Sequence, residues 1–121
     1  MDTSEGKQDR APGTTTMAPG VLLTLARLTA LSIPGVVDMA PIRSGVNRLF
    51  RRGSGEGVQI NIDDSEVAVD LFLILAQDTN VREVSRTVQA EVARAIEEMI
   101  GMDVTRVDIH IEDIDYAEIA D

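Results

Sequence analysis

The sequence predicts an α/β (α+β) fold: a two-layer sandwich in which a mainly antiparallel sheet of about four strands carries two principal helices. Three observations lead there. Val67, Val69, Leu71, Leu73 and Leu75 alternate along one stretch, the two-residue period of a strand with a buried face. After a stop at Gln77-Asp78-Thr79-Asn80 the period changes. Val81, Val84, Val88, Val92, Ile96 and Met99 or Ile100 form a helical stripe that ends at Gly101. Alternation then returns, with Val107, Ile109 and Ile111 interleaved with Asp108, His110 and Glu112.

Residues 1–15 are polar, with Gly, Pro and Thr, and are expected to be a disordered lead-in. Order is expected from about Thr16. Pro19 suits a first helical turn, and Val21, Leu22, Leu25, Leu28 and Leu31 recur at three- and four-residue steps with Arg27 off that face. The helix over 20–32 is closed by Pro34-Gly35. A short strand follows at 36–39.

Residues 41–57 form a Gly/Ser/Arg-rich connection, long enough in a compact domain to be either functional or disordered. Within it Val46, Leu49 and Phe50 stand at helical spacing against Arg48, Arg51 and Arg52, the pattern of a short amphipathic turn. Gly53-Ser54-Gly55-Glu56-Gly57 reads as flexible.

Val58, Ile60 and Ile62 alternate with Gln59 and Asn61 in a strand over 58–62, and Asp63-Asp64-Ser65-Glu66 turns the chain back into an antiparallel strand over 67–76. That strand is apolar on both faces, with Ala68, Phe72 and Ile74 opposite Val69, Leu71 and Leu73. One face is expected under helices, the other against a second layer or a second subunit. Asn80 is an N-cap with Glu83 at the capping-box position for the helix over 81–100. A last strand spans 104–112, and residues 115–121 form an acidic tail.

A chain of 121 residues, 44% of them hydrophobic, fits one domain with a real core. The core must be aliphatic, because Phe50, Phe72 and Tyr116 are the only aromatics. Base-stacking platforms are correspondingly scarce, which argues against single-strand nucleic-acid modules. Without cysteine there is no disulfide, thiolate metal site or thiol nucleophile. A net charge of −10 repels nucleic acid and anionic lipid over long range.

The charge is nevertheless segregated. Residues 43–55 hold Arg43, Arg48, Arg51 and Arg52 and no acid, whereas 108–121 hold Asp108, Glu112, Asp113, Asp115, Glu118 and Asp121 and no Lys or Arg. Such complementary ends suit self-association; solvated surface is the plainer alternative. No apolar run approaches the ~20 residues of a membrane span, and Asp2, Glu5, Lys7 and Asp9 stand where a signal peptide needs an apolar core. The expectation is a cytoplasmic protein, with no direct membrane insertion, that meets a membrane only through a partner.

Candidate chemistry is thin. Asp108, His110 and Glu112 share one strand face, yet strand neighbours on a face lie about 7 Å apart, too far for three to ligate one ion unaided. The acidic turn 63–66 lacks calcium-loop spacing. The glycine-rich stretch lacks the Lys-Ser/Thr sequel of a phosphate loop and precedes a strand. No Ser or Thr has a His–acid companion in a recognisable motif. No catalytic residue, metal ligand or cofactor is therefore assigned. One anomaly stands out: Arg82 and Arg86 begin the long helix while Glu97 and Glu98 end it, each opposing the helix dipole at about 0.3–1 kcal/mol if exposed. Such charges suit an external contact, an internal pair, or simple tolerance.

The run Pro19-Gly20-Val21-Leu22 through Ala26, Ala30, Ile33-Pro34-Gly35-Val36 and Met39 resembles the opening of the bacterial alkaline shock protein family, also called the envelope stress response family. Gly57-Val58-Gln59-Ile60, Val67-Ala68-Val69-Asp70-Leu71, the helix from Val81 through Val84, Val88, Gln89 and Val92 to Met99-Ile100-Gly101, and Val104, Val107, Asp108, Ile109, His110 and Ile111 are similar as well. The resemblance spans about 16–114 and rests on the order of five blocks. It implies a small non-catalytic α/β domain of the cytoplasm, associated with envelope stress, self-assembling in some members and held at the membrane by a separate anchoring protein.

The leading expectation is thus a scaffold or interaction protein of the cell-envelope stress response. It is expected to self-associate and to contact a membrane-bound partner, with contacts at Arg43, Arg48, Leu49, Phe50, Arg51 and Arg52, together with Arg82 and Arg86, on one side and the acidic tail on the other. The alternative is a nucleic-acid-associated factor using the same arginines, and a third reading is a small enzyme or metal binder built around His110.

Overall fold

The computed structural model describes residues 17–42, 54–55 and 57–116. Helix α1 (Pro19–Leu31) leads to strands β1 (Val36–Met39), β2 (Ser54–Gly55), β3 (Val58–Asp63) and β4 (Glu66–Ala76), then helix α2 (Val81–Met99) and strand β5 (Asp103–Asp115). The fold is α+β, and three of the four strand pairings are antiparallel. Ser54–Gly55, expected to be part of a flexible stretch, instead pairs with Val58 and Gln59.

The apolar strand β4 organises the sheet. On one edge it pairs with β3 from Glu66 to Leu71 and then with β1 from Leu73 to Leu75. Phe72 is the handover, donating its N–H to Gly57 (2.9 Å) and accepting from Ala40 (2.8 Å). Along the whole of its other edge, Glu66 to Ala76, β4 pairs with β5 in parallel. The parallel sense follows from the α2 crossover, which returns the chain to the same end of the sheet. The β3–β4 hairpin closes through Asp64 and Ser65 between the paired Asp63 and Glu66, with Asp64 at φ 60°, a conformation its short polar side chain tolerates.

Burial follows the alternation read from β4. Val67, Val69, Leu71, Leu73 and Leu75 are fully buried beneath the helices, with Val58 and Ile60 of β3. Ala68, Phe72 and Ile74 on the opposite face are half-buried. The two helices pack on the same side and touch each other.

Helix α1 departs from the expected stripe. Leu22, Ala26 and Ala30 face the core, whereas Val21 and Leu28 are 47% and 54% exposed. This helix is apolar nearly all round, so periodicity cannot select a face. Two alanines four residues apart allow close approach of the backbone to the layer beneath. In α2 the middle of the stripe (Val88, Val92, Ile96) is buried, but its ends overhang the sheet, with Val81 42% and Met99 71% exposed. In β5 Val107 is buried and Ile109 and Ile111 are half-buried, because among the described residues no strand lies beyond them.

The ends of α2 are fixed as its sequence requires. Asn80 Oδ1 accepts the Glu83 N–H at 3.1 Å, and Gly101, at φ 83°, turns its N–H onto the carbonyls of Ile96 and Glu97. Asn80→Ala is expected to lower stability by about 1 kcal/mol, read as a shift of the urea midpoint at unchanged slope.

Candidate interaction surface

Of the residues expected to contact a partner, Arg43, Arg48, Leu49, Phe50, Arg51 and Arg52 lie outside the described residues. Their tether points are placed: Ile42 follows β1, and Ser54 begins β2 at the outer side of β3. The segment therefore leaves and rejoins the sheet on the β1/β3 side of β4, away from β5. Arg82 and Arg86 are exposed on α2, one turn apart, and among the described residues no ion pair holds either. Glu97, the opposing charge at the other end, has a structural task, accepting the Val104 N–H at 3.3 Å.

The second surface is the sheet face opposite the helices. In-register pairing of β4 with β5 sets Asp70 beside Asp108 and Phe72 beside His110. Asp70 is the hub. Its carboxylate meets His110 Nε2 at 3.1 Å and Arg106 Nη2 at 3.6 Å, while Arg106 Nη1 donates to Asp108 at 2.8 Å. The His110 ring stacks on Phe72 with centroids 4.4 Å apart and planes 12° from parallel. His110 thus lies on the face expected of it, but its partners stand on the neighbouring strand. All the charged members are partly exposed, and such pairs contribute on the order of 0–1 kcal/mol each; the cluster orders the face more than it stabilises the fold.

Among the described residues no group of three His, Asp or Glu side chains that could hold a metal ion comes together. The Asp108–His110–Glu112 alternation is broken at Glu112, the extra residue of a bulge opposite Leu73 and Ile74.

The third surface is the outer edge of β5. This strand runs to Asp115, so Asp113 and Asp115, expected near or beyond its end, are carried on the sheet itself. A second bulge, at Thr105, interrupts its register near the start. Among the described residues β5 pairs with β4 alone, leaving an open edge opposite the one from which the arginine segment springs.

The sequence did not reveal the Asp70 cluster or the open edge. Both depend on β4 and β5 being neighbours, a contact across some forty residues. One signal was present: a single acid, Asp70, inside the otherwise apolar run Val67–Ala76.

A model of the alkaline shock protein 23 family, described as having a cell envelope-related function, matches residues 7–116. The uncharacterized protein YloU of Bacillus subtilis is 26% identical over 98 residues, 78% of this chain and 82% of its own. The uncharacterized protein YqhY of the same organism is 23% identical over 111 residues, 90% of this chain and 82% of its own. Among solved structures, a variant of MamM CTD superposes with a TM-score of 0.57 at 14% identity, over 80% of this chain and 98% of that one. Another superposes at 0.55 and 13% identity. At such identity the likeness is one of fold.

Proposed function

Because the chain belongs to the alkaline shock protein 23 family, whose function is cell envelope-related, we propose that it is a non-catalytic scaffold of the cell-envelope stress response. In this reading it associates with copies of itself in the cytoplasm and reaches the membrane through a partner protein. Among the described residues no helix is long and apolar enough to cross a membrane, and a partner supplies what such a helix otherwise would.

The observation that supports the reading is that the acidic strand β5 and the points between which the arginine-bearing segment is tethered lie on opposite sides of β4. Arg43, Arg48, Arg51 and Arg52 belong to the segment tethered on the β1/β3 side, while Asp108, Glu112, Asp113 and Asp115 line β5. A domain with complementary edges attracts copies of itself at low ionic strength, over a range set by the Debye length of about 10 Å at 0.1 M salt.

Light scattering across protein concentration, at low and moderate salt, tests this. Mass is expected to grow with concentration, to fall as salt is raised, and to stay at the monomer value in Arg51→Glu/Arg52→Glu. A wild-type monomer under every condition overturns self-association. The exposed Arg82 and Arg86 favour the nucleic-acid reading, which the net charge of −10 opposes; salt-sensitive binding of nucleic acid lost in the same variant would replace the scaffold.

A further inference from the structure

Strand β5 is the longest in the sheet and its outer edge is only partly covered. Side chains of α2 serve its first half: Gln89 Nε2 donates to the Val107 carbonyl at 2.9 Å, and Glu97 accepts the Val104 N–H at 3.3 Å. Backbone direction alternates along a strand, so Ile109 and Ile111 turn their N–H and C=O groups to the same outer side as Val107. No α2 side chain reaches those groups among the described residues. Their side chains, packed against the core, remain half-buried where a further strand would cover them.

An edge of this kind accepts an added strand, and its charge selects which. From Asp108 onward β5 carries acids and no Lys or Arg. Pairing β5 with β5 of a second copy sets acid against acid, and the bulges at Thr105 and Glu112 break the flat register that such pairing needs. The incoming strand must be basic and free of acids. Segment 43–52 meets that requirement, with four arginines, no acid, and the apolar Val46, Leu49 and Phe50 between them. Fully extended, ten residues reach about 33 Å, against about 17 Å for the edge from Val107 to Ile111.

We propose that the outer edge of β5, from Val107 to Ile111, takes segment 43–52 of a second copy of this chain as an added strand. The inference rests on the self-association proposed above and gives it a mode. The segment cannot serve its own edge. One tether follows β1, beside β4, and the other begins β2, beyond β3, so a strand added outside β5 would lie about 14 Å from the first and about 19 Å from the second at ~4.8 Å per strand. Crossing and returning would use most of the residues between Ile42 and Ser54, leaving too few to pair. The contact joins unlike edges, head to tail, so each bound copy offers a further edge and growth does not stop at a dimer.

The test is hydrogen exchange on the full chain, residue by residue, below and above the concentration at which mass begins to grow. The amides of Ile109 and Ile111 are expected to slow at least tenfold on assembly, with β1 amides unchanged. Beside it, Ile109→Pro removes an outward N–H without breaking the β4–β5 ladder, and Ile109→Ala removes the same side chain but keeps the N–H. Ile109→Pro is expected to weaken assembly at least tenfold relative to Ile109→Ala.

A wild-type chain that never assembles overturns both this inference and the self-association beneath it. A chain that assembles with Ile109 and Ile111 unprotected overturns the added strand alone. So does assembly lost in Arg51→Glu/Arg52→Glu while these edge amides never slow in the wild type. The exchange measurement decides the matter even if the proline variant does not fold.

Discussion

Leu71→Ala is expected to destabilise the domain by about 3–4 kcal/mol, through lost transfer free energy and the cavity left behind. Leu71 is fully buried at the centre of β4, in register with Val58 on one side and Ile109 on the other, with the helices above. Neighbours on both sides are held by ladders, so the site has little freedom to collapse. That loss is a large part of the about 5–15 kcal/mol that a domain of this size commands. Urea unfolding checks it: the midpoint should fall with an unchanged slope. Leu28→Ala is the paired control. The sequence stripe placed Leu28 inside, but it is 54% exposed, so its loss should change stability by no more than about 0.5 kcal/mol. Similar costs for both would mean that α1 packs by the stripe and not by its alanines.

That contrast marks where the fold was legible. β4 could be read because its alternation survives regardless of what pairs with it. The α2 boundaries could be read because Asn80 and Gly101 act locally, through bonds to residues three to five positions away. In α1, Val21, Leu22, Leu23, Leu25, Leu28 and Leu31 are all apolar. Which of them goes inside depends on how closely the helix approaches β3 and α2, a tertiary choice that Ala26 and Ala30 make possible. The parallel pairing of β5 lay beyond local pattern for the same reason. Alternation fixes which side chains share a face but not which strand lies alongside.

The candidate site divides along the same line. The charge split between 43–52 and 108–121 is a property of composition and was open to reading. What it means physically depends on topology. Only the order of strands shows that the tethers of the arginine segment and the acidic strand lie on opposite sides of β4. His110 could be placed on the polar face, but its hydrogen bond to Asp70 and its stacking on Phe72 require the β4–β5 register. Arg82 and Arg86 stand exposed, whereas Glu97 answers to the Val104 N–H.

Gly57→Ala carries the other large expected effect, about 3 kcal/mol, and it separates two costs that glycine substitutions usually mix. Gly57 sits at φ 75°, which disfavours any L side chain by roughly 1–2 kcal/mol. An added Cβ would also stand 2.6 Å from Met39 Cβ, 2.9 Å from the Ala40 carbonyl and 3.0 Å from the Phe72 carbonyl. These are mostly backbone atoms at the handover between β1 and β3, tied by the bonds Phe72 makes to Gly57 and Ala40. They cannot yield by rotating a side chain, so the junction must open, at a further cost of about 1–3 kcal/mol. Gly101→Ala isolates the first cost. Gly101 has a similar φ, 83°, with nothing within 4 Å of the added Cβ, so its substitution should cost only about 1 kcal/mol. The difference between the two urea midpoints measures the collision at the handover. Equal effects would mean that β1 and β3 do not meet β4 as closely as the Phe72 hydrogen bonds require. The junction also bears on assembly, because Ala40 and Gly57 flank the connection that holds the arginines. A β1 displaced from Phe72 shifts the point from which that segment departs. Gly57→Ala should therefore weaken self-association even in buffer where the domain stays folded, whereas Gly101→Ala, at the far end of α2, should leave it unchanged.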